Sequence, residues 1–438
     1  MLGRMGTHPG RSSALLTDHY ELTMLRAALA DGRASRRSVF EVFTRRLSGG
    51  RRYGVVAGTG RVIDAIADFR FGEEELSFLN DSGVIDDTTA TWLADFRFGG
   101  DIWGYREGEL YFPGSPVLIV EGTFAECVVL ETLVLSILNH DSAIAGAGAR
   151  MIASAGERPC IEMGSRRTHE QSAIAAARAA YIAGFAATSN LEAGRTYGIP
   201  TTGTAAHAFT LLHDTEREAF DAQVAALGTD TTLLVDTYDI AEGVRNAIAA
   251  GGTDLGAVRL DSGDLAQVAA EVRVQLDELG ASSTRITVTS DLDEHAIAAL
   301  AVAPIDGYGV GTSLVTGSGV PTSGFVYKLV AREDDGGTMV PVAKKSKDKV
   351  SVGGRKYAVR RRENGVATAE VIGVGVPPAA DHDDRELLVP LLLGGSPQDI
   401  GTLDDARTQC RSAVRELPAT GRRLSKGDPA IPTHYEEE

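Results

Sequence analysis

Between residues 160 and 320 one pattern recurs: a short apolar run gives out onto residues that can bind or react. "CIEM" at 160 leads into "GSRRTHE", with Arg166 and Arg167, and "PTTGT" at 200 leads through Thr204 to His207 in "GTAAHAF". "TLLVD" at 232 is followed by Asp236 and Asp239 in "DTYD", and "GAVRLD" at 256 contains Arg259 and ends in "DSGD", Asp261 and Asp264. "RITVTS" at 285 runs into "SDLDE", with Asp291 and Asp293, and "GYGVG" at 307 opens into "GVGTSLVTGSG". An arginine fork binds two oxygens of a carboxylate or phosphate at once. Backbone N–H groups of a glycine-rich turn that opens onto a helix suit a phosphate. Asp261 can accept from sugar hydroxyls or orient a hydrated Mg²⁺, which takes only one or two carboxylates. His207 can carry a proton or accept a phosphoryl group. The set points to a ligand with one or more phosphates, a hydroxylated sugar and a small carboxylate.

Each piece also has a plainer reading. "SDLDE" alone is a helix N-cap with acids favouring the helix dipole. "DSGD" is a turn plus a cap, Arg166–Arg167 a solvated pair, and a lone His207 a structural histidine. One polar strand end is a helix cap; six together make a pocket. In parallel β/α folds the ligand site lies at the carboxyl ends of the strands.

The elements that must position these groups follow from the same runs. Seven apolar runs, at 160, 184, 200, 232, 256, 285 and 307, alternate with turns and helical stretches. That alternation argues for parallel β/α units. The count is one short of a regular eightfold barrel, so an irregular α/β barrel is expected, with a doubly wound sheet as the alternative. Before it, "LLTDHYELTMLRAALADG" reads as a helix, with Asp18 and Glu21 spaced as a capping box. Residues 38–125 read as strand-like, residues 126–156 as helical, and the chain beyond Val320 as strands again. The expected division is 1–130 and 326–438 as two parts of a discontinuous β-rich domain, with the barrel at 131–325. Residues 1–14 read as frayed.

Composition narrows the classes. The chain has 438 residues, 43% of them hydrophobic, enough to bury a large core. Its formal net charge of −17 argues against a general nucleic-acid or anionic-membrane surface. Three cysteines, Cys127, Cys160 and Cys410, make neither a disulfide framework nor a zinc site. The N-terminus lacks the apolar core of a signal peptide, and no apolar run reaches membrane-spanning length. A cytoplasmic protein is expected.

Six motifs, in order and with matching spacing, resemble those of nicotinate phosphoribosyltransferases: "LLTDHYELTM", "GSRRTHE", "GTAAHAF", "VRLDSGDL", "GVGTSLVT" and "VAKKSKDKVSVGGRKYAVR". The resemblance runs over nearly the whole chain. It implies the type II phosphoribosyltransferase fold, an irregular α/β barrel with a second domain built from both ends of the chain. It implies that nicotinate is joined to 5-phosphoribosyl 1-pyrophosphate, giving nicotinate mononucleotide and pyrophosphate, with Mg²⁺ and coupled ATP hydrolysis, as an entry into NAD synthesis. It implies a homodimer in which "TDHYELT" helps to complete a neighbour's site. Carried over residue by residue, His207 is the phosphorylated and catalytic histidine. Tyr20 bounds the nicotinate ring, Thr204 and Arg259 contact nicotinate, and Arg166 and Arg167 add positive charge. Gly309, Gly311 and Thr312 hold phosphate of the donor, and Asp261 faces ribose and Mg²⁺. The basic run "KKSKDK" either touches phosphate or is solvated.

Two rivals are distinguishable. A nicotinamide-using relative would share the barrel and donor site but carry an acid near the ring amide, where this chain offers Tyr20 and paired arginines. A barrel that binds a nucleotide without turning it over has no use for a phosphoryl-accepting histidine.

Overall fold

In the computed structural model residues 12–344 and 351–436 are described. The chain forms two compact units, one of residues 1–146 with 320–438 and the other of residues 147–319.

The barrel unit is built from six parallel strands: β1 (Cys160–Glu162), β2 (Ala187–Thr188), β3 (Thr232–Leu234), β4 (Ala257–Leu260), β5 (Arg285–Val288) and β6 (Gly307–Val310). Their hydrogen-bonded order is β2-β1-β6-β5-β4-β3. The first and last strands of the series are therefore neighbours, with Gly309 opposite Ile161. Five of the seven expected runs supply full strands and "GFAAT" a two-residue one; "PTTGT" supplies only a bridge from Thr201 to Thr188. Its three threonines and one glycine follow Pro200, which has no N–H for a ladder. The staves thus stand in chain order around an irregular barrel, open at the seam between residue 201 and β3. Val258, Leu260, Ile286, Val288, Tyr308 and Val310 are all fully buried, as expected for parallel strands covered on both faces.

Helices follow the strands, and acids cap them. Asp239 accepts from the Glu242 N–H at the start of Ile240–Gly251, and Asp264 from the Gln267 N–H at the start of Leu265–Glu278. Asp293 accepts from the His295 and Ala296 N–H groups. For Asp264 and Asp293 the plainer reading is the correct one, and Asp239 is a cap as well.

The other unit carries a seven-stranded sheet. Strand Arg37–Thr44 pairs antiparallel with Phe325–Glu333 on one side and with Leu118–Thr123 on the other. A four-stranded sheet adds Lys356–Glu363 and Val366–Val374, with Thr433–Glu436 of the tail parallel to the latter. Its core gathers Leu22, Leu25, Phe69, Phe96, Ile102 and Tyr327.

Three differences from the sequence reading have physical reasons. The stretch read as strand-like contains three helices, Thr59–Ala67, Glu73–Asp81 and Asp87–Ala94. Val62, Ile63 and Ile66 share one buried helical face, and Asp86 caps the third helix through the Thr89 N–H. The capping box at Asp18 does not form. Glu21 turns inward, fully buried, and accepts from the Thr17 and Thr132 hydroxyls and from the Thr132 N–H at 2.8 Å. Finally, the helical stretch Phe124–Ala155 is long and apolar enough to cross a membrane, yet 67% of its most apolar window is buried, as in a core helix. The run 345–349 of "KKSKDK" and residues 1–11 lie outside the described residues.

Candidate functional site

The carboxyl ends of the barrel strands collect most of the expected residues. Arg259 lies near the end of β4, half-buried, and its Nη1 donates to the Thr204 hydroxyl. This contact spans the open seam, from the segment after residue 201 to β4. Arg166 stands exposed in the turn Ser165–Arg167, just after β1, close enough to Arg259 to act on its charge. Burial lowers the Arg259 pKa; Asp261 and Asp236 oppose this, and Arg166 reinforces it. The Arg259 Nε is buried with no hydrogen-bond partner among the described residues. Arg166 thus adds positive charge near Arg259, a charge that Asp261 and Asp236 oppose, and Arg259 keeps one buried donor unpaired. Arg167 neighbours Arg166 on the same turn and is exposed.

His207 opens the short helix His207–Leu211. Its Nδ1 lies 3.1 Å from the Thr237 hydroxyl, and its Nε2 lies 3.9 Å from Asp236 Oδ1. The His207 side chain is 42% exposed and that of Asp236 only 1%, so the ring is reachable while the acid behind it is not. Asp236 Oδ2 accepts the Asp261 N–H at 2.9 Å and the Ser262 hydroxyl at 2.7 Å; Oδ1 has no hydrogen-bond partner among the described residues. One carboxylate thus backs both the histidine and the "DSGD" turn. Asp261 itself accepts from the Thr289 hydroxyl at the end of β5 and remains half-exposed.

The glycine-rich segment divides. Gly309 is buried inside β6, where a Cβ would meet Thr289 and Met163 at 2.6 and 2.8 Å, so close packing requires glycine there. Gly311 and Thr312 stand beyond the strand, at the start of the helical turn Thr312–Val315, with Thr312 exposed. The far end of the loop is pinned by Ser318, at φ +52°, whose hydroxyl reaches Glu294 at 2.5 Å. Glu294 also takes Arg150 Nε at 3.0 Å.

Tyr20 belongs to the other unit. It sits in the first turn of helix His19–Ala30, 44% exposed, with a pKa raised by burial and by Glu131.

Sequence reading missed the roles of Thr237, Thr289 and Asp236 as supports. Asp236 and Asp239 are both acids after one apolar run; only the structure shows that Asp239 caps a helix while Asp236 faces the mouth. Among the described residues no group of three or more His, Cys, Asp or Glu could hold a metal ion.

A parallel barrel with arginines, an accessible histidine and a glycine-rich turn at its mouth is the arrangement of a phosphoribosyl-transferring enzyme. Residues 15–139 match the family described as nicotinate phosphoribosyltransferase (NAPRTase) N-terminal domain. The chain is 59% identical over 431 residues to nicotinate phosphoribosyltransferase pncB1 of Mycobacterium tuberculosis, covering 96% of this chain and 95% of that one. It is 39% identical over 360 residues to nicotinate phosphoribosyltransferase of Bacillus subtilis, covering 80% and 73%. Among solved structures, human nicotinic acid phosphoribosyltransferase superposes with a TM-score of 0.82 at 25% identity, covering 95% and 97% of the two chains. The chain belongs to the nicotinate phosphoribosyltransferase family.

Proposed function

We propose that this chain joins nicotinate to 5-phosphoribosyl 1-pyrophosphate, giving nicotinate mononucleotide and pyrophosphate, as a cytoplasmic step of NAD synthesis. One observation carries the reading: Arg259, half-buried near the end of β4 and within reach of the Arg166 charge, donates to Thr204 and keeps its Nε unpaired. A ring carboxylate relieves the repulsion and fills the vacant donor; a neutral carboxamide accepts from the donor but brings no charge to relieve the repulsion. Arg167 adds positive charge, and Tyr20 bounds the ring in a neighbour's site of a homodimer. Gly311 and Thr312, with Gly309 behind them, hold phosphate of the donor.

The pyridine nitrogen attacks the anomeric carbon; the new C–N bond forms as the C–O bond to pyrophosphate breaks. The attacking nitrogen has no proton to lose, so no general base is required, which fits a mouth whose acids hold other groups in place. Positioning of the ring by the arginines and Thr204 supplies much of the rate. Asp261, half-exposed and anchored by Thr289, would hold a hydrated Mg²⁺. When bound, that ion offsets charge on the departing pyrophosphate.

His207 accepts the γ-phosphoryl group of ATP: a P–N bond forms on the imidazole as the P–O bond to ADP breaks. Water later hydrolyses the phosphohistidine and drives product release. Thr237 and Asp236 fix the ring between them.

The test is phosphohistidine formation. Purified protein is incubated with γ-labelled ATP and Mg²⁺, beside a His207→Ala variant, and nicotinate and the donor are then added. Acid-labile label on the wild type alone, discharged as mononucleotide forms, is the expected result. Mononucleotide without label would overturn the role of His207; no product at all would overturn the transferase reading.

A further inference from the structure

Glu162, the last residue of β1, is 1% exposed. Its carboxylate accepts the Gly164 N–H and the Thr188 hydroxyl, and among the described residues no cation pairs with it. Burial raises its pKa, while the bonds from Thr188 and Gly164 pull the other way. A buried carboxylate held only by neutral donors is costly to keep. Its donors show what it holds: Gly164 begins the turn that bears Arg166 and Arg167.

Thr188, at the end of β2, is fully buried and works in two directions. Its hydroxyl donates to Glu162 and accepts the Asn190 N–H at 2.9 Å. The Asn190 amide in turn donates to the Ser165 hydroxyl at 3.0 Å. The arginine turn is thus gripped at Gly164 and at Ser165. The Thr188 backbone meanwhile carries the segment that lacks a strand: its N–H donates to Pro200 O and its own carbonyl accepts the Thr202 N–H, both at 3.0 Å. Thr204 lies two residues further on and His207 five. The turn is also seated tightly, since a Cβ on Gly164 would collide with Val315.

We propose that Glu162 and Thr188 are positioning residues that hold the Arg166 turn in register with the Thr204 segment, and so set the affinity for the carboxylate of nicotinate. The inference rests on the reading of Arg166, Arg259 and Thr204 as that carboxylate's site. Neither residue touches the substrate; they act through the turn and the segment they join.

Thr188→Val keeps the shape and removes the hydroxyl. The expected result is a KM for nicotinate raised about 10- to 100-fold, with kcat and the KM for the phosphoribosyl donor each within about threefold of wild type. Thr188→Ser, which keeps the hydroxyl, restores the wild-type KM. Glu162→Gln keeps the size and removes the charge, and it carries the test if Thr188→Val does not fold; the same selective rise is expected. An unchanged nicotinate KM in both variants would overturn the proposal. So would a parallel rise for both substrates with a lowered melting temperature and no rescue by serine, because that is the signature of scaffold alone. Arg166→Met and Arg259→Met separate the two levels. If they leave the nicotinate KM unchanged, the carboxylate reading falls and this inference with it. If they raise it while Thr188→Val and Glu162→Gln do not, only the positioning inference falls.

Discussion

Arg360 in the strand-rich unit and Arg259 in the barrel are both strand arginines taken out of water, and burial works against the charge of both. Their surroundings then diverge. Arg360, fully buried, meets Glu370 at 2.7 Å, Glu109 at 3.4 Å and the Leu110 carbonyl at 2.9 Å, and packs over the Phe112 ring. Glu370 and Glu109 outweigh burial, and the Arg360 pKa is raised. Arg385 and Glu416 extend the cluster at 2.7 Å. Arg259 instead has a lowered pKa: burial is not outweighed by Asp261 and Asp236, and the Arg166 charge adds to it. The strand-rich unit balances its buried charge internally. The barrel leaves an imbalance at its mouth, where a ligand can complete it. A charge whose surroundings already answer it is structural; a charge left facing its own kind marks a site.

Removing one partner should therefore have opposite consequences in the two places. Arg360→Met leaves Glu370 and Glu109 buried without a cation, and should cost about 3–5 kcal/mol of stability, read by urea unfolding. Arg259→Met removes a charge that Asp261 and Asp236 balance only in part. It should leave the unfolding midpoint unchanged or raised, while the KM for nicotinate rises about 100-fold, the loss of a paired charge at a binding site. Equal stability losses in the two variants would break the comparison. Thr237→Val removes the hydroxyl beside His207 Nδ1 and should slow phosphohistidine formation about tenfold, the value of one hydrogen bond; single-turnover labelling reads it.

The smallest expected effect concerns pH. Burial raises the Glu41 pKa to about 7, although Lys356 Nζ, 2.5 Å away, opposes the shift. An acid whose folded pKa lies above its unfolded value adds stability at low pH, and loses that contribution as pH rises through the folded value. From pH 4.5 to 7 the wild type should thus lose stability relative to Glu41→Gln, measured as the difference in melting temperature across that window. A difference that grew in favour of the wild type with rising pH would show that Lys356 dominates instead.

Much of this was legible in the sequence, but unevenly. The barrel was readable because strands buried on both faces are continuous apolar runs, and because glycine, arginine and aspartate punctuate their ends. The run at 200 misled: it was counted as a strand, and its hydroxyls and Pro200 leave only one bridge. Helix Thr59–Ala67 was hidden because its apolar residues Val62, Ile63 and Ile66 were read as part of a strand-like stretch. At the mouth, residue type announced Arg259, His207 and Asp261. The supports Thr188, Thr237, Thr289 and Glu162 carry common residue types whose importance comes from what they touch, which spacing along a chain does not encode. Nor did sequence separate Asp236 from Asp239, since both follow the same run.

The central claim is that the mouth holds unbalanced positive charge for a carboxylate. Calorimetric titration of the intact protein with nicotinate and with nicotinamide, in the wild type and in Arg259→Met, tests it most directly. The account predicts that the wild type binds nicotinate at least about 100-fold more tightly than nicotinamide, and that the gap narrows to about tenfold or less in the variant. Equal affinities in the wild type, or a gap that survives Arg259→Met intact, would contradict it.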